Sequence, residues 1–261
     1  MKRYFIHMAY DGTNYHGWQV QPNGLTVQEV LENALSVILQ EEIKVTGAGR
    51  TDTGVHASFY MAHFDIRRED SYGSFSGPDD PQFLFKLNRF LPEDIVIYKI
   101  LEVTPDLHAR FSATYRTYHY HISTRKPLFN RNYSHYVYGL LDLEAMNRCC
   151  GIIMKTTDFT SFSKLHTDVK TNNCKVIDAH WKEVDGAYLF EIKADRFLRN
   201  MVRSLVGTLL DAGQGKLDIG GFQSIVDAKD RGKAGQSVAA AGLFLVDIGY
   251  EGISSTQFLP E

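Results

Sequence analysis

Two hydrophobic periods alternate along this chain, and their order constrains the fold more than any single residue does. Residues 2–11 alternate as a strand does, and an Asp11-Gly12-Thr13-Asn14 turn ends the run. Thr26-Val27-Gln28-Glu29 then reads as a capping box, in which the Thr26 hydroxyl takes an orphan helix N–H and Glu29 reaches back. Behind it Val27, Val30, Leu31, Ala34, Leu35, Ile38 and Leu39 follow the helical period, which predicts one amphipathic helix packed on a sheet. Strands are expected at 43–48 and 58–66, flanking the loop Gly49-Arg50-Thr51-Asp52-Thr53-Gly54. Residues 71–80 read as loop, followed by a helix near 81–91 and a strand near 95–103.

The second half repeats this mixture. It predicts a strand at 113–124, a helix at 142–154 and a hairpin of 175–184 with 187–194 around Asp185-Gly186. A long helix over 197–212, a short one over 220–228 and a strand over 243–249 follow. Runs of strands with interspersed helices favour α+β layers over a doubly wound parallel sheet. Thr104-Pro105-Asp106 is the candidate boundary, giving an N-terminal domain 1–104 and a C-terminal domain 105–261.

Composition narrows the setting. No run of about 18 apolar residues is present, so no membrane span is expected. The N-terminus lacks the long apolar core of a signal peptide. Cys149, Cys150 and Cys174 are odd in number and form no Cys-x-x-Cys, which argues against a disulfide framework or zinc site and for a reducing cytosol. The net charge of −3 argues weakly against a nucleic-acid partner, but the distribution argues the other way. No Asp or Glu occurs from Leu107 to Leu141, where Arg110, Arg116, Arg125, Lys126 and Arg131 interleave with six tyrosines. Such a stretch suits phosphates and stacked bases, and it is also what a tyrosine-rich strand with solvated arginines looks like.

Three constellations bear on chemistry. The glycines of the 49–54 loop permit a close approach of backbone to ligand, but the Gly-Lys-Ser/Thr ending of a phosphate-binding loop is absent. Alone, Asp52 is read as readily in an Asx-turn as in catalysis. In Tyr115-Arg116-Thr117-Tyr118-His119-Tyr120-His121, alternation sets Tyr118 and Tyr120 on one face and the histidines on the other. His119 and His121 have no carboxylate or cysteine near them in sequence, so a structural or solvent-facing role is expected. Finally, Arg196, Arg199 and Arg203 fall near one face of the expected 197–212 helix, opposite Leu198, Met201, Val202, Leu205 and Leu209. That face is either functional or simply solvated.

Taken in order, these blocks resemble the TruA family of tRNA pseudouridine synthases. Gly49-Arg50-Thr51-Asp52-Thr53-Gly54-Val55-His56 resembles the family's catalytic loop. Tyr10-Asp11-Gly12 with Tyr15-His16-Gly17-Trp18-Gln19 resembles its N-terminal signature. Leu91-Pro92-Glu93-Asp94-Ile95, Phe111-Ser112-Ala113, Arg116-Thr117-Tyr118-His119-Tyr120, Met201-Val202-Arg203 and Gly242-Leu243-Phe244-Leu245 extend the match from about residue 4 to about residue 250. Only the loop around 69–82 departs, being longer and more acidic, which leaves open how RNA is received there.

The resemblance implies two α/β halves with antiparallel sheets around a basic cleft. It also implies a cytoplasmic homodimer holding tRNA, no metal or organic cofactor, and target uridines at positions 38, 39 and 40 of the anticodon stem-loop. It assigns Asp52 as the catalytic carboxylate, Arg203 as the cation that keeps it ionised, and Tyr118 as the ring that stacks on uracil. It gives Arg50 the support of the flipped nucleotide and Leu245 the apolar wall of the base site. Arg110, Arg116 and Arg199 are candidate phosphate contacts, and each suits a structural ion pair equally well. A non-catalytic RNA-binding protein would not require the Asp52, Tyr118 and Arg203 set. A sugar hydrolase would require a second acid, and none stands beside Asp52.

Overall fold

The computed structural model describes residues 1–67, 75–164 and 170–252. The chain divides into two compact units, one of Met1–Thr114 with the residues from Leu245 onward, the other of Tyr115–Phe244. Among the described residues no helix is long and apolar enough to cross a membrane.

In the first unit, β1 (Lys2–Tyr10) lies between β3 (His56–Ile66) and β4 (Ile95–Val103) and is antiparallel to both. The short β2 (Val45–Gly47) pairs with β3. On the far side of β3 comes β9 (Leu243–Tyr250), whose residues from Leu245 return to this unit. These two central strands are buried on both faces rather than alternately: Phe5, Ile6 and Met8 on β1 and Tyr60, Met61, Ala62 and Phe64 on β3 are all buried. The first helix, α1 (Val27–Leu39), starts where the capping residues placed it, with the Thr26 hydroxyl accepting from the Glu29 N–H at 3.3 Å. It buries Val27, Leu31, Ala34, Leu35 and Leu39. α2 (Pro81–Phe90) carries Pro81 in its first turn and is capped by Asp80, which accepts from the Gln82 N–H. Of the 69–82 loop, residues 69–74 lie outside the described residues.

The second unit is built on an antiparallel sheet in the order β5 (Ala113–Ser123), β8 (Ala187–Ala194), β7 (Val176–Val184), and β6 (His135–Tyr136) runs parallel to β5. Asp185 and Gly186 join β7 to β8 with φ of 53° and 74°, the tight-turn conformation that Asp-Gly favours. Helices α3 (Leu143–Ile153), α4 (Met201–Gly213) and α5 (Ile219–Ala228) pack together, α4 and α5 also against the turn that carries Phe162; Phe159, Phe162 and Phe222 are all fully buried. The architecture is α+β, as the patterning implied.

One element differs from the sequence reading. The expected 197–212 helix begins only at Met201, because Asn200 sits in the left-handed region at φ 65° and breaks the helical path. Phe197 and Leu198 continue the apolar pattern from outside the helix, with the Leu198 carbonyl accepting from the Met201 N–H. Arg196 and Arg199 therefore precede α4 and share no helical face with Arg203. Nor does α4 present a solvated basic side: of its residues only Arg203 and Asp211 escape full burial.

His63 ties the segment after β4 to the first unit. Its side chain is buried, and its Nδ1 accepts from the Ala109 N–H at 3.1 Å, next to Arg110. Burial above all, with the Arg3 and His108 charges, pushes its pKa down to about 4. The folded value lies below the unfolded one of about 6.5, so the unfolded chain binds the extra proton first. Stability is complete above about pH 6.5 and drains away as pH falls toward 4, by up to about 3 kcal/mol. His63→Gln, which keeps an acceptor but cannot titrate, is expected to flatten this part of the stability profile. Urea unfolding of both proteins at about pH 7 and about pH 4.5 checks it, and equal losses in the two would contradict it.

Candidate active site

Asp52 lies in the loop between β2 and β3, half-buried, and its surroundings explain why the loop and the N-terminal signature occur together. Tyr10 at the end of β1 places its hydroxyl 2.9 Å from the Thr51 hydroxyl. The Trp18 N–H donates to the Thr51 carbonyl at 3.4 Å, and the Gly54 N–H donates to the Tyr15 carbonyl at 3.2 Å. Inside the loop, the Val55 N–H donates to the Asp52 carbonyl at 3.1 Å. Behind it, the Tyr60 hydroxyl on β3 donates to the Gly49 carbonyl at 2.5 Å, and the Gly12 N–H donates to the buried His56 ring at 3.1 Å. The residues on either side of Asp52 are thus held by backbone and hydroxyl groups of one fixed frame.

Two signature glycines are sterically required there. A Cβ on Gly12 would lie 2.0 Å from the Val55 carbonyl oxygen, and one on Gly17 would lie 2.3 Å from that of Thr51. Gly17 also has φ +84°, a conformation that other residues adopt only under strain. Tyr15 ends this clamp on Asp94: its hydroxyl donates to the Asp94 carboxylate, and burial with that bond raises its pKa beyond the ordinary phenol range.

Arg50 and Arg110 are both exposed and open onto the same cavity of about 200 Å³, which is also lined by Trp18, Gln19 and Gln28. Leu245, 1% exposed, lies on β9 beside β3 and belongs to this unit. The first unit therefore holds Asp52, Arg50, Arg110 and Leu245.

The second unit holds the rest. Tyr118 and Tyr120 share a face of β5, but their settings differ. Tyr120 is fully buried and donates to the Ala239 carbonyl at 2.7 Å, and burial drives its pKa up against the opposing Arg203 charge. Tyr118 is only half-buried and meets Phe197 edge-on at 5.1 Å. Arg203, in the first turn of α4, donates from Nε to the Val238 carbonyl at 2.8 Å, while the Val238 N–H donates to the Arg203 carbonyl. Gly207, one turn on, lets the stretch of chain at 236–238 touch the helix, since a Cβ there would lie 1.8 Å from the Gln236 carbonyl oxygen. Arg203 is consequently a positioned cation. Arg116 bonds the Asp195 carbonyl at 2.9 Å, a structural tie, whereas Arg199 is exposed.

The sequence reading missed Tyr60, whose role emerges only through strand pairing. It also missed a carboxylate beside His119: Glu191 lies directly across from it on β8, with Nε2 and Oε2 2.9 Å apart.

A carboxylate on a rigid, glycine-walled loop that also carries the exposed Arg50 suits an enzyme acting on the sugar–base bond of a polyanion. A family model described as tRNA pseudouridine synthase matches residues 6–112 and 156–251. The chain belongs to that family, isomerases that convert uridine in tRNA to pseudouridine. It is 54% identical over 253 residues to tRNA pseudouridine synthase A of Bacteroides thetaiotaomicron, covering 96% of this chain and 91% of that one. It is 53% identical to the protein of the same name from Parabacteroides distasonis, covering 96% of each. Identity to that of Acetivibrio thermocellus is 38%, over 96% of this chain and all of the other.

Proposed function

We propose that this protein isomerises uridines at positions 38, 39 and 40 of the tRNA anticodon stem-loop, with Asp52 as its catalytic carboxylate. The observation that carries the reading is the clamped loop: six hydrogen bonds and two obligatory glycines fix the backbone around one acid. The target nucleotide is first extruded from its stem. The bond from ribose C1′ to uracil N1 then breaks as positive charge builds on the sugar, which a carboxylate stabilises as nucleophile or ion. The released base turns, C5 bonds to C1′, N1 gains a proton and C5 loses one.

Arg203 supplies a positive charge for the reaction, and Arg50 supports the extruded state. Leu245 walls the base, the exposed Arg110 and Arg199 serve the phosphates, and Arg116, tied to the Asp195 carbonyl, serves them only through guanidinium N–H groups other than the one in that bond. The enzyme works in the cytoplasm as a homodimer without metal or organic cofactor, and binds tRNA in a basic cleft. The acid-free segment supports an RNA-facing surface, since Arg125, Lys126, Phe129, Arg131 and Tyr138 are all exposed on it.

The test is to incubate the protein with unmodified tRNA transcripts and map pseudouridine chemically along the anticodon arm. Product confined to positions 38–40, made equally well on a prefolded stem-loop in EDTA and falling steeply with salt, is expected. Product elsewhere, or none, would overturn the specificity.

Tyr118 offers a sharper check. If its hydroxyl helps remove the C5 proton, Tyr118→Phe is expected to lower single-turnover rates by about 10²-fold while keeping tRNA affinity. A Phe variant at the wild-type rate, with an Ala variant impaired, would confine Tyr118 to stacking.

A further inference from the structure

On the face of β5 opposite Tyr118, strand pairing assembles a group of side chains that the isomerisation does not use. His180 on β7 and His119 on β5 both lie directly opposite Glu191 on the intervening β8. Asp178 stands two residues before His180, with its Oδ2 2.9 Å from His180 Nδ1. One ligand atom from each of Asp178, His180 and Glu191 lies within 4.8 Å of the others, and among the described residues only these three converge in this way. All are partly exposed, so an ion has a path in from solvent.

We propose that Asp178, His180 and Glu191 form a binding site for a divalent transition-metal ion of the zinc type, with His119 orienting Glu191. The donor set selects the ion. An imidazole between two carboxylates suits zinc, cobalt or nickel, whereas magnesium and calcium prefer oxygen alone. The ligands stand on hydrogen-bonded strands, so their backbones are fixed before the ion arrives. The ligand atoms lie within 4.8 Å of one another, and rotamer changes of these partly exposed side chains bring them to the spacing a bound ion needs. His119 Nε2, 2.9 Å from Glu191 Oε2, supplies the outer hydrogen bond that fixes a metal-bound carboxylate. Lys182 competes: its ammonium lies 3.3 Å from the same Glu191 oxygen and must swing aside. Because the group occupies the face of β5 away from Tyr118, the ion staples the strands together and takes no part in the chemistry.

The experiment titrates zinc and, separately, magnesium into the metal-stripped full-length protein, reading heat of binding and Tm. Zinc is expected to bind as one ion per chain and raise Tm, while magnesium at the same concentration does neither. The Asp178→Asn/His180→Ala double variant is expected to lose the zinc response. His119→Gln is expected to weaken zinc about tenfold. Lys182→Ala is expected to tighten it several-fold, which a merely structural ion pair would not predict. Circular dichroism of each variant shows that the fold persists. Zinc uptake undiminished in the double variant, as from the buried thiols Cys149, Cys150 and Cys174, would overturn the site, as would no binding by wild type. Pseudouridine formation that survives chelation leaves the site standing as structural, and activity lost to chelation and restored by zinc would overturn the non-catalytic role.

Discussion

Asp52→Asn is expected to lower pseudouridine formation by about 10⁴-fold or more while leaving tRNA affinity within a few-fold of wild type. The size follows from what the substitution removes. Asn has nearly the same shape, so the surrounding hydrogen bonds, which run through the backbones of Gly49, Thr51, Gly54 and Val55 and the Thr51 hydroxyl, stay intact. It lacks the negative charge and the nucleophilic oxygen that a breaking glycosidic bond requires. Removing a group of that kind in other enzymes costs roughly 10⁴–10⁶ in turnover. Binding is spared because it rests on many phosphate contacts, in which a single acid has no favourable share. Single-turnover rates and Kd measured at one salt concentration separate the two effects. Substantial residual turnover in the Asn variant would remove Asp52 from the chemistry.

Gly17→Ala is expected to cost about 10²-fold in kcat with little change in tRNA affinity, although the residue never touches the reacting atoms. The new Cβ would meet the Thr51 carbonyl oxygen at 2.3 Å, and the opposing atom is backbone rather than a side chain that can rotate away. Relief requires the Asp52 loop to move, and displacement by about 1 Å is enough to cost two orders of magnitude in a positioned reaction. The backbone strain at φ +84° adds about 1–2 kcal/mol of instability. Gly186→Ala separates these effects. Gly186 has φ +74° in the β7–β8 turn, and a Cβ there would meet no atom within 4 Å, so Ala costs stability alone. Equal losses of kcat in the two variants would show that general destabilisation, rather than the clamp, governs the rate.

How much of this was legible in the sequence depends on the range of each interaction. Strand limits such as Ile95–Val103 and the Asp185-Gly186 hairpin follow from local alternation and turn chemistry, and both were expected where they occur. The start of α4 was not, because Phe197 and Leu198 keep an apolar rhythm while Asn200 leaves the helical region, a backbone choice that the periodicity does not encode. The supposed arginine stripe dissolved with that turn. Asp52 was singled out by its motif, yet the function of the Tyr10–Gln19 signature as its clamp was hidden. The contacts join residues some forty positions apart, such as Tyr10 and Thr51, and depend on which strands become neighbours. His119 shows the same limit: its partner Glu191 is 72 residues away in sequence and directly opposite in the sheet.

The central claim is that Asp52 drives the exchange of a C1′–N1 bond for a C1′–C5 bond, and that exchange must release the hydrogen on C5. The most direct measurement uses a tRNA transcript labelled with tritium at uridine C5 and counts the tritium released to water by wild type and by Asp52→Asn. The account predicts release by wild type in step with the pseudouridine formed, and none above background by the Asn variant under saturating tRNA. Release by the Asn variant at a comparable rate, or pseudouridine formed by wild type without release, would contradict it.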